Sequence, residues 1–539
     1  GWDSVADGAN TALLQQGILP DFLPNQRWFA AKGRRIERVA LSDSVVLRGD
    51  GDDFLLMILD TSIEGGELQR YLLPLGIAWE SLNDDPFARL LPFTLARART
   101  GGRIGAIHDA VAGPGFARAV TANVRDNLTL PTRAGGQLAF RATTAFPEAL
   151  PLADISVDRL GREQSNTSLK VGEDIILKSL RRLSPGVHPE VEIGRFLTDI
   201  ANYPNVPPTL GSVEYVDANG VPTALIILQG FVRNQGDGWE FTLDHLDRVL
   251  GQLEFLPSSI DHDPVELYGV YLPLAETLGQ RIAELHLAFA TPFDDPAFTP
   301  EPTGPDDITE WVAAVRQQAE TTREALALVI NDPSLSDAVR AEVDALLSRW
   351  NEIDVAAGKL QGRDVGDLVK TRLHGDMHLG QVVVVRDDFY ILDFEGEPLR
   401  PMQERRAKSS PLKDVAGMIR SFDYAASTAL HRRPEVRPGG AEILRHTLAA
   451  WQQRVVDRFT EGYRTAVAGC PSVPVADEAF QALLDLFLLE KVLYEIRYEA
   501  TNRPDWLGIP IRGLTALLDA STLASRRAAG WPPRPQPSA

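Results

Sequence analysis

Residues 371–400 read TRLHGDMHLGQVVVVRDDFYILDFEGEPLR, and the fold turns on this stretch. His374, Gly375 and Asp376 sit in a short loop. An apolar strand follows, Val382 to Val385, then a turn at Arg386, Asp387 and Asp388, then a second apolar strand, Phe389 to Leu392, ending in Asp393. Two short β-branched or aromatic runs separated by turn residues make a hairpin. Acidic and amide groups therefore stand at both of its ends, Asp376 and Gln381 before it, Asp393 and Glu395 after it. Phosphoryl transfer asks for such an arrangement. One carboxylate accepts the proton of an attacking hydroxyl, and two or three hard oxygens hold a Mg²⁺ whose remaining shell is water and phosphate.

The pattern H-G-D-x-H-L-G-Q, followed by D-F-E-G-E-P and S-P-L-K-D-V-A-G-M-I-R-S-F-D-Y-A, resembles the bacterial maltokinases, in the aminoglycoside-phosphotransferase-like branch of the protein-kinase-like fold. The resemblance implies an α+β, bilobal protein-kinase-like fold: a β-rich small lobe, a mostly helical large lobe and an N-terminal α/β cap subdomain. It implies ATP and Mg²⁺ as cofactors and maltose as the partner, phosphorylated at its anomeric hydroxyl to maltose 1-phosphate for glycogen synthesis. On this reading Asp376 is the catalytic base, Gln381 and Asp393 hold Mg²⁺, and Glu395 is an extra ligand. Gln381 stands where the wider fold usually ends the loop in Asn, as is usual for maltokinases. Asp414 would orient the catalytic-loop backbone. A transition-metal site at His374-x-Asp376-x-His378 is poorly supported without a cysteine cluster; His378 is assigned to the sugar side. Phe394 reads as core packing, and Asp387 and Asp388 as a solvated turn.

Composition sets the frame. The chain has 539 residues, 44% of them hydrophobic and 24% charged, which suits a globular protein of two to four domains. A net charge of −20 argues against nucleic-acid or anionic-membrane surfaces, which need clustered Lys and Arg. The single cysteine, Cys470, cannot form an internal disulfide, and a reducing cytoplasm is the expected location. The chain starts Gly1-Trp2-Asp3 with no initiating Met, which fits a processed end or a piece of something longer. By resemblance, fusion to or association with a trehalose synthase is a live reading.

Four regions are expected: an N-terminal cap over 1–100, the small lobe over 101–235, the large lobe over 236–525 and a disordered Pro-rich tail over 526–539. QRWFAAKGR, from Gln26, resembles the maltokinase cap, with Trp28 read as buried. No GxxxxGK[ST] motif occurs, which sets the P-loop NTPases aside. Gly161 to Ser168, GREQSNTS, separates two strand-like segments, so Ser165, Asn166, Thr167 and Ser168 could offer hydroxyl and N–H donors to phosphate. Lys178 interrupts an Ile/Leu-rich strand, and a buried lysine is costly unless paired. The kinase-like reading supplies nucleotide phosphates and a helix glutamate, with Glu192 the first choice and Glu190 the second. Gln229, Gly230 and Phe231 are the adenine-contacting backbone candidates.

From 237 onward the periodicity is helical, with helices expected at 240–256, 270–290, 306–330, 334–357, 411–430, 440–468 and 476–503. Near the end, Glu495, Tyr498 and Asn502 follow Tyr494 at one, four and eight residues and are read as one helix face, with Trp506 beyond a Pro504 break. Aromatic planes with carboxylates and amides suit sugar hydroxyls, and Y-E-x-x-Y-E-x-x-N-R-P-x-W resembles the maltokinase C-terminal segment. Two rival readings remain. One is a kinase for glucosamine or another sugar; the other is a non-catalytic pseudokinase module scaffolding a trehalose synthase. The intact set Lys178, Asp376, Gln381 and Asp393 favours catalysis.

Overall fold

The computed structural model describes residues 2–5, 8–81, 85–160, 166–253, 268–397, 400–433 and 440–528. It divides into two compact units: Gly1–Arg233 with Arg400–Glu404, and Asn234–Leu399 with Arg405–Ala539. The first is rich in strands and the second in helices, so the chain is α+β.

Two antiparallel sheets build the first unit. One runs in the order Ile36–Arg48, Asp53–Ile63, Glu67–Trp79, Arg103–Asp109, Thr94–Thr100. Its second strand carries the unbroken apolar run FLLMIL, residues 54–59, because both of its faces are covered. Leu55, Met57 and Leu59 join a core with Trp28, Phe29 and Tyr71. Phe54, Leu56 and Ile58 point the other way, toward Phe116 and Val120 of the helix Pro114–Arg125 and the second sheet. Strands buried on both faces lose the polar alternation of a half-exposed strand. Because Arg103–Asp109 pairs with Glu67–Trp79, this sheet extends past residue 100, where the cap was expected to end. The second sheet runs Thr129–Pro131, Gln137–Ala142, Thr209–Val216, Pro222–Gly230, Ile175–Leu180, Asn166–Val171, Val157–Leu160.

A buried ion pair joins the two sheets. Arg181 is fully enclosed and donates from Nη2 and Nη1 to Asp109 Oδ2 and Oδ1 at 2.7 and 3.2 Å. Its Nε donates to Thr167 Oγ1 at 3.0 Å, and its guanidinium lies 4.9 Å from the Trp28 ring centre. Trp28 is buried, as its place in QRWFAAK suggested.

The second unit packs its helices around the hairpin Val382–Val385/Asp388–Ile391. Most expected helices form within a few residues of their expected ends. The 334–357 segment is instead two helices, Asp337–Ser348 and Asn351–Gly358, because the chain tightens at Arg349 and the Trp350 ring turns into the core. A last helix, Gly508–Ala528, runs through the start of the expected tail; residues 529–539 lie outside the described residues. Gly417 lets the helix Leu412–His431 touch the loop before the hairpin, since a Cβ there would stand 2.4 Å from the Met377 carbonyl oxygen. Among the described residues no helix is long and apolar enough to cross a membrane.

Breaking a buried pair leaves an uncompensated charge, so Arg181→Ala should cost about 3–5 kcal/mol of unfolding free energy. The Arg181→Met/Asp109→Leu double variant should recover part of that loss in urea unfolding. Equal losses in the single and double variants would mean the pair is not what stabilises this junction.

Candidate active site

The loop His374–Asp376 is held from below by one carboxylate. The backbone N–H of His374 donates to Asp414 Oδ2 at 2.8 Å, and that of Gly375 donates to Oδ1 at 2.9 Å. His286 Nε2 lies 3.2 Å from Asp414 Oδ2, and its Nδ1 lies 2.8 Å from the Tyr463 hydroxyl. Gly375 has φ +83°, a conformation that glycine adopts without strain. His374 Nε2 donates to the Leu392 carbonyl at 2.7 Å, which leaves Nδ1 to accept the Asp376 N–H at 3.3 Å. Loop, second hairpin strand and supporting helix are therefore locked together, and Asp376 is presented half-buried above them. Phe394 packs on the His374 ring at 4.9 Å and is core, as expected.

Across the hairpin, Gln381 closes the turn Leu379–Gln381, and its carbonyl accepts from the Leu392 N–H at 2.8 Å. Asp393 has φ +62°. That left-handed conformation is uncommon outside glycine and gathers at functional sites. A carboxylate oxygen of Asp393 lies within 4.8 Å of one of Glu395. Asp388 departs from its expected role as a solvated turn residue: Arg281 donates to both of its oxygens, at 2.7 and 3.2 Å, and ties the hairpin to the helix Tyr271–Ala290.

Lys491, which the sequence reading passed over, comes from the helix Asp477–Asn502. Its Nζ lies 3.4 Å from Asp376 Oδ1, 3.2 Å from Glu397 Oε1 and 5.1 Å from the Tyr494 ring centre. Burial works against the ammonium, but Asp376, Glu397 and Glu495 together hold its pKa above the ordinary lysine range, so it stays charged. The signal was legible: a lysine inside LLDLFLLEKVLYEI is the same anomaly that singled out Lys178. Tyr494 and Tyr498 lie near-parallel with ring centres 6.3 Å apart. His378, 3.9 Å from Asp376 Oδ2, has its imidazolium disfavoured by burial. Its Nδ1 accepts the Gly380 N–H at 3.0 Å.

The rest of the expected sugar face does not form one surface. Glu495 is only one residue from Tyr494, roughly 100° around the helix. It turns inward, and its Oε2 accepts from Arg420 Nη2 and Nε at 2.7 and 2.9 Å. Asn502 donates to the Tyr498 carbonyl at 2.9 Å. Trp506 packs on His431, with ring centres 5.6 Å apart, and Arg503 lies 5.4 Å from both the Trp506 and Tyr498 rings. The structure thus gathers Asp376, His378, Lys491, Tyr494 and Tyr498, and leaves Glu495 outside that face.

In the first unit, Lys178 Nζ donates to Glu190 Oε2 at 3.0 Å, so the ion pair goes to Glu190 and not to Glu192, the first choice. Two residues along a helix turn the side chain roughly 200° away, and the buried position is 190. Glu190 Oε1 also accepts from Gln229 Nε2 at 3.2 Å. Ser165 lies outside the described residues. Asn166, Thr167 and Ser168 are not loop residues but open the strand Asn166–Val171, where Thr167 and Ser168 are buried and the Thr167 hydroxyl serves Arg181. The Gly230 and Phe231 N–H groups donate to the Pro208 and Asp174 carbonyls at 2.8 and 2.7 Å, so neither is open to an adenine ring.

Residues 22–112 match the family model described as the maltokinase N-terminal cap domain. A glucosamine kinase of Mycolicibacterium smegmatis is 25% identical over 362 residues, covering 67% of this chain and 79% of that protein. One of Streptacidiphilus jiangxiensis is 25% identical over 359 residues, covering 66% and 72%. A solved glucosamine kinase in complex with glucosamine, ADP and inorganic phosphate superposes with a TM-score of 0.60 at 20% identity, covering 93% of this chain and 97% of that one. Another crystal form of glucosamine kinase gives 0.61 at 21% identity, covering 96% and 100%. The chain has the kinase-like fold of these enzymes, with a maltokinase-type cap. Both features agree with the fold class read from the hairpin motif.

Burial raises the Asp414 carboxyl, but hydrogen bonds and charge from His286, the nearby His374 and the Gly375 N–H bring it below its ordinary value. A depressed carboxyl stabilises fully above its unfolded pKa, about 3.9, and that contribution is lost as pH falls through the lower folded value. Asp414→Asn should cost about 1–3 kcal/mol at neutral pH. The gap from wild type in urea unfolding should stay flat down to about pH 4 and close only below it. A gap that changes across neutral pH would contradict this reading.

Proposed function

We propose that this chain is an ATP-dependent sugar kinase that phosphorylates the anomeric hydroxyl of maltose. The observation that carries the proposal is Lys491, which ties the Tyr494/Tyr498 pair to Asp376. An aromatic platform is thereby set beside a carboxylate able to act as base. Asp376 orients the acceptor hydroxyl and takes its proton as that oxygen bonds to the γ-phosphorus; the bond to the β-bridging oxygen breaks and ADP leaves. Lys491, kept charged, sets the orientation of Asp376. Lys178, braced by Glu190, supplies a cation for the nucleotide phosphates.

The donors at the hairpin suit Mg²⁺. Gln381, Asp393 and Glu395 are all hard oxygen ligands, two of the carboxylates lie close enough to share one cation, and Asp393 is held in a strained backbone conformation. A Mg²⁺ ion bound there would neutralise phosphate charge.

Maltose is favoured over a cationic amino sugar by the charge on Lys491, which disfavours a second ammonium beside Asp376, and by the maltokinase-type cap. Association with a trehalose synthase and a place in α-glucan synthesis belong to the same proposal. The second reading is a glucosamine kinase, favoured by the relatives at 25% identity.

A coupled ADP-release assay with Mg·ATP against maltose, glucose, glucosamine and an aminoglycoside separates these readings. Turnover is expected on maltose. Asp376→Asn should lower kcat by about 10²–10⁴ with ATP affinity retained; a rate within a few-fold of wild type would remove Asp376 from the chemistry. Lys491→Met should lower kcat/KM for maltose by roughly 10–150-fold, the worth of a charge-assisted contact, and relax discrimination against glucosamine. If glucosamine alone is turned over, the fold and mechanism stand and the acceptor changes.

A further inference from the structure

The first unit holds a cavity of about 670 Å³, between the edge of the cap sheet and the helix Pro114–Arg125, for which the phosphoryl-transfer reading has no use. That volume is within the range of small-molecule sites. Phe54 and Phe116 form part of its wall in edge-to-face contact, with ring centres 5.6 Å apart, and Trp79 lines it too. Three of its lining positions, Gly49, Gly113 and Gly115, carry no side chain; a Cβ at Gly115 would stand 3.2 Å from the Phe54 ring.

His108 decides what the cavity can hold. It lines the cavity and is only 7% exposed. Its Nδ1 lies 2.9 Å from the Asp109 carbonyl oxygen, which can only accept, so Nδ1 carries the hydrogen. Burial lowers its pKa, so the ring is neutral and Nε2 is an acceptor, with no hydrogen-bond partner among the described residues. An acceptor at the cavity wall is open to a ligand's donor. Asp50 and Asp52 on the rim are acceptors as well, and Arg48 stands beside them; no ion pair joins these three among the described residues. Arg89, Arg118 and Asp126 line it too, so three arginines are set against three aspartates and the lining carries no net charge to hold an anion, which could donate nothing to Nε2. A hydroxyl can donate to His108 and Asp52 and accept from Arg48, while the C–H face of a sugar ring packs on the aromatic wall.

We propose that this cavity is a second ligand site, distinct from the phosphoryl-transfer site, that takes a small neutral polyhydroxylated molecule such as a mono- or disaccharide. The site stands on residues of the first unit, from Arg48 to Ala153, and does not depend on the acceptor of the kinase.

Ligand-observed NMR and titration calorimetry on the full chain, with glucose, maltose, trehalose and glucose 1-phosphate as probes, test it. Ala153→Trp fills the cavity from an exposed position, and His108→Phe removes the acceptor. In a Tyr494→Ala background, at least one of the three neutral sugars should still bind. Each cap variant should weaken that binding by about tenfold or more, while in the otherwise wild-type chain both variants keep ADP-release turnover. No cap-dependent binding of any neutral sugar would overturn the proposal. Cap-dependent binding of glucose 1-phosphate alone would overturn the ligand class. If the chain proves to have no kinase activity, the binding measurements still decide the cap site.

Discussion

The helical unit depends on one buried carboxylate. Asp414 takes the two backbone N–H groups of His374 and Gly375, and in doing so fixes the direction in which the chain leaves for Asp376. Side-chain packing alone leaves a loop free to slide along a helix; two charge-assisted bonds to consecutive amides set its position to a fraction of an ångström. Gly417 brings the helix close enough for this, and His286, itself held by the Tyr463 hydroxyl, adds a third partner to the carboxylate, so no lone buried charge remains. The tautomer of His374 follows, because its Nε2 is committed to Leu392 and its Nδ1 to the Asp376 amide. A single carboxylate thus positions Asp376, the histidine beneath it and the strand that delivers Asp393.

The first unit uses the same device. Arg181 is enclosed between two sheets and meets Asp109 on one side, Trp28 on another and Thr167 on a third. In both units a buried charge with several partners does what apolar packing does poorly, which is to select one register among many that bury similar area. Lys178 with Glu190 and Gln229, and Lys491 with Asp376 and Glu397, extend the pattern to the functional groups.

What could be read from the sequence divides along these lines. The hairpin and its carboxylates were legible because turn chemistry, strand propensity and spacing are all local and agree. Lys178 was legible as a charge in an apolar run, and Asp414 from the resemblance of SPLKDVAGM to the kinase pattern. Glu190 was ranked second because sequence proximity does not say which side of a short helix faces the strand. Glu495 follows Tyr494 by one residue, and the helical period sends it off the tyrosine face to Arg420. Thr167 and Ser168 looked like loop donors, but strand pairing with Ile175–Leu180 begins at Asn166 and buries them. The gap at Trp350 carries no Gly or Pro, so tertiary packing, invisible to local propensity, ends that helix.

The site's electrostatics follow from the chain's acidity. With a net charge of −20, the background potential opposes any anionic substrate, so phosphate chemistry needs cations fixed at particular places. A lysine free in solvent would be screened within about 10 Å at ordinary ionic strength; one held among carboxylates in a partly buried site is not. Lys491 has this character, and its charge costs little because Asp376 and Glu397 already compensate it. The same ammonium contacts Asp376, Glu397 and the Tyr494 ring, so one side chain fixes the carboxylate and the aromatic plane relative to each other.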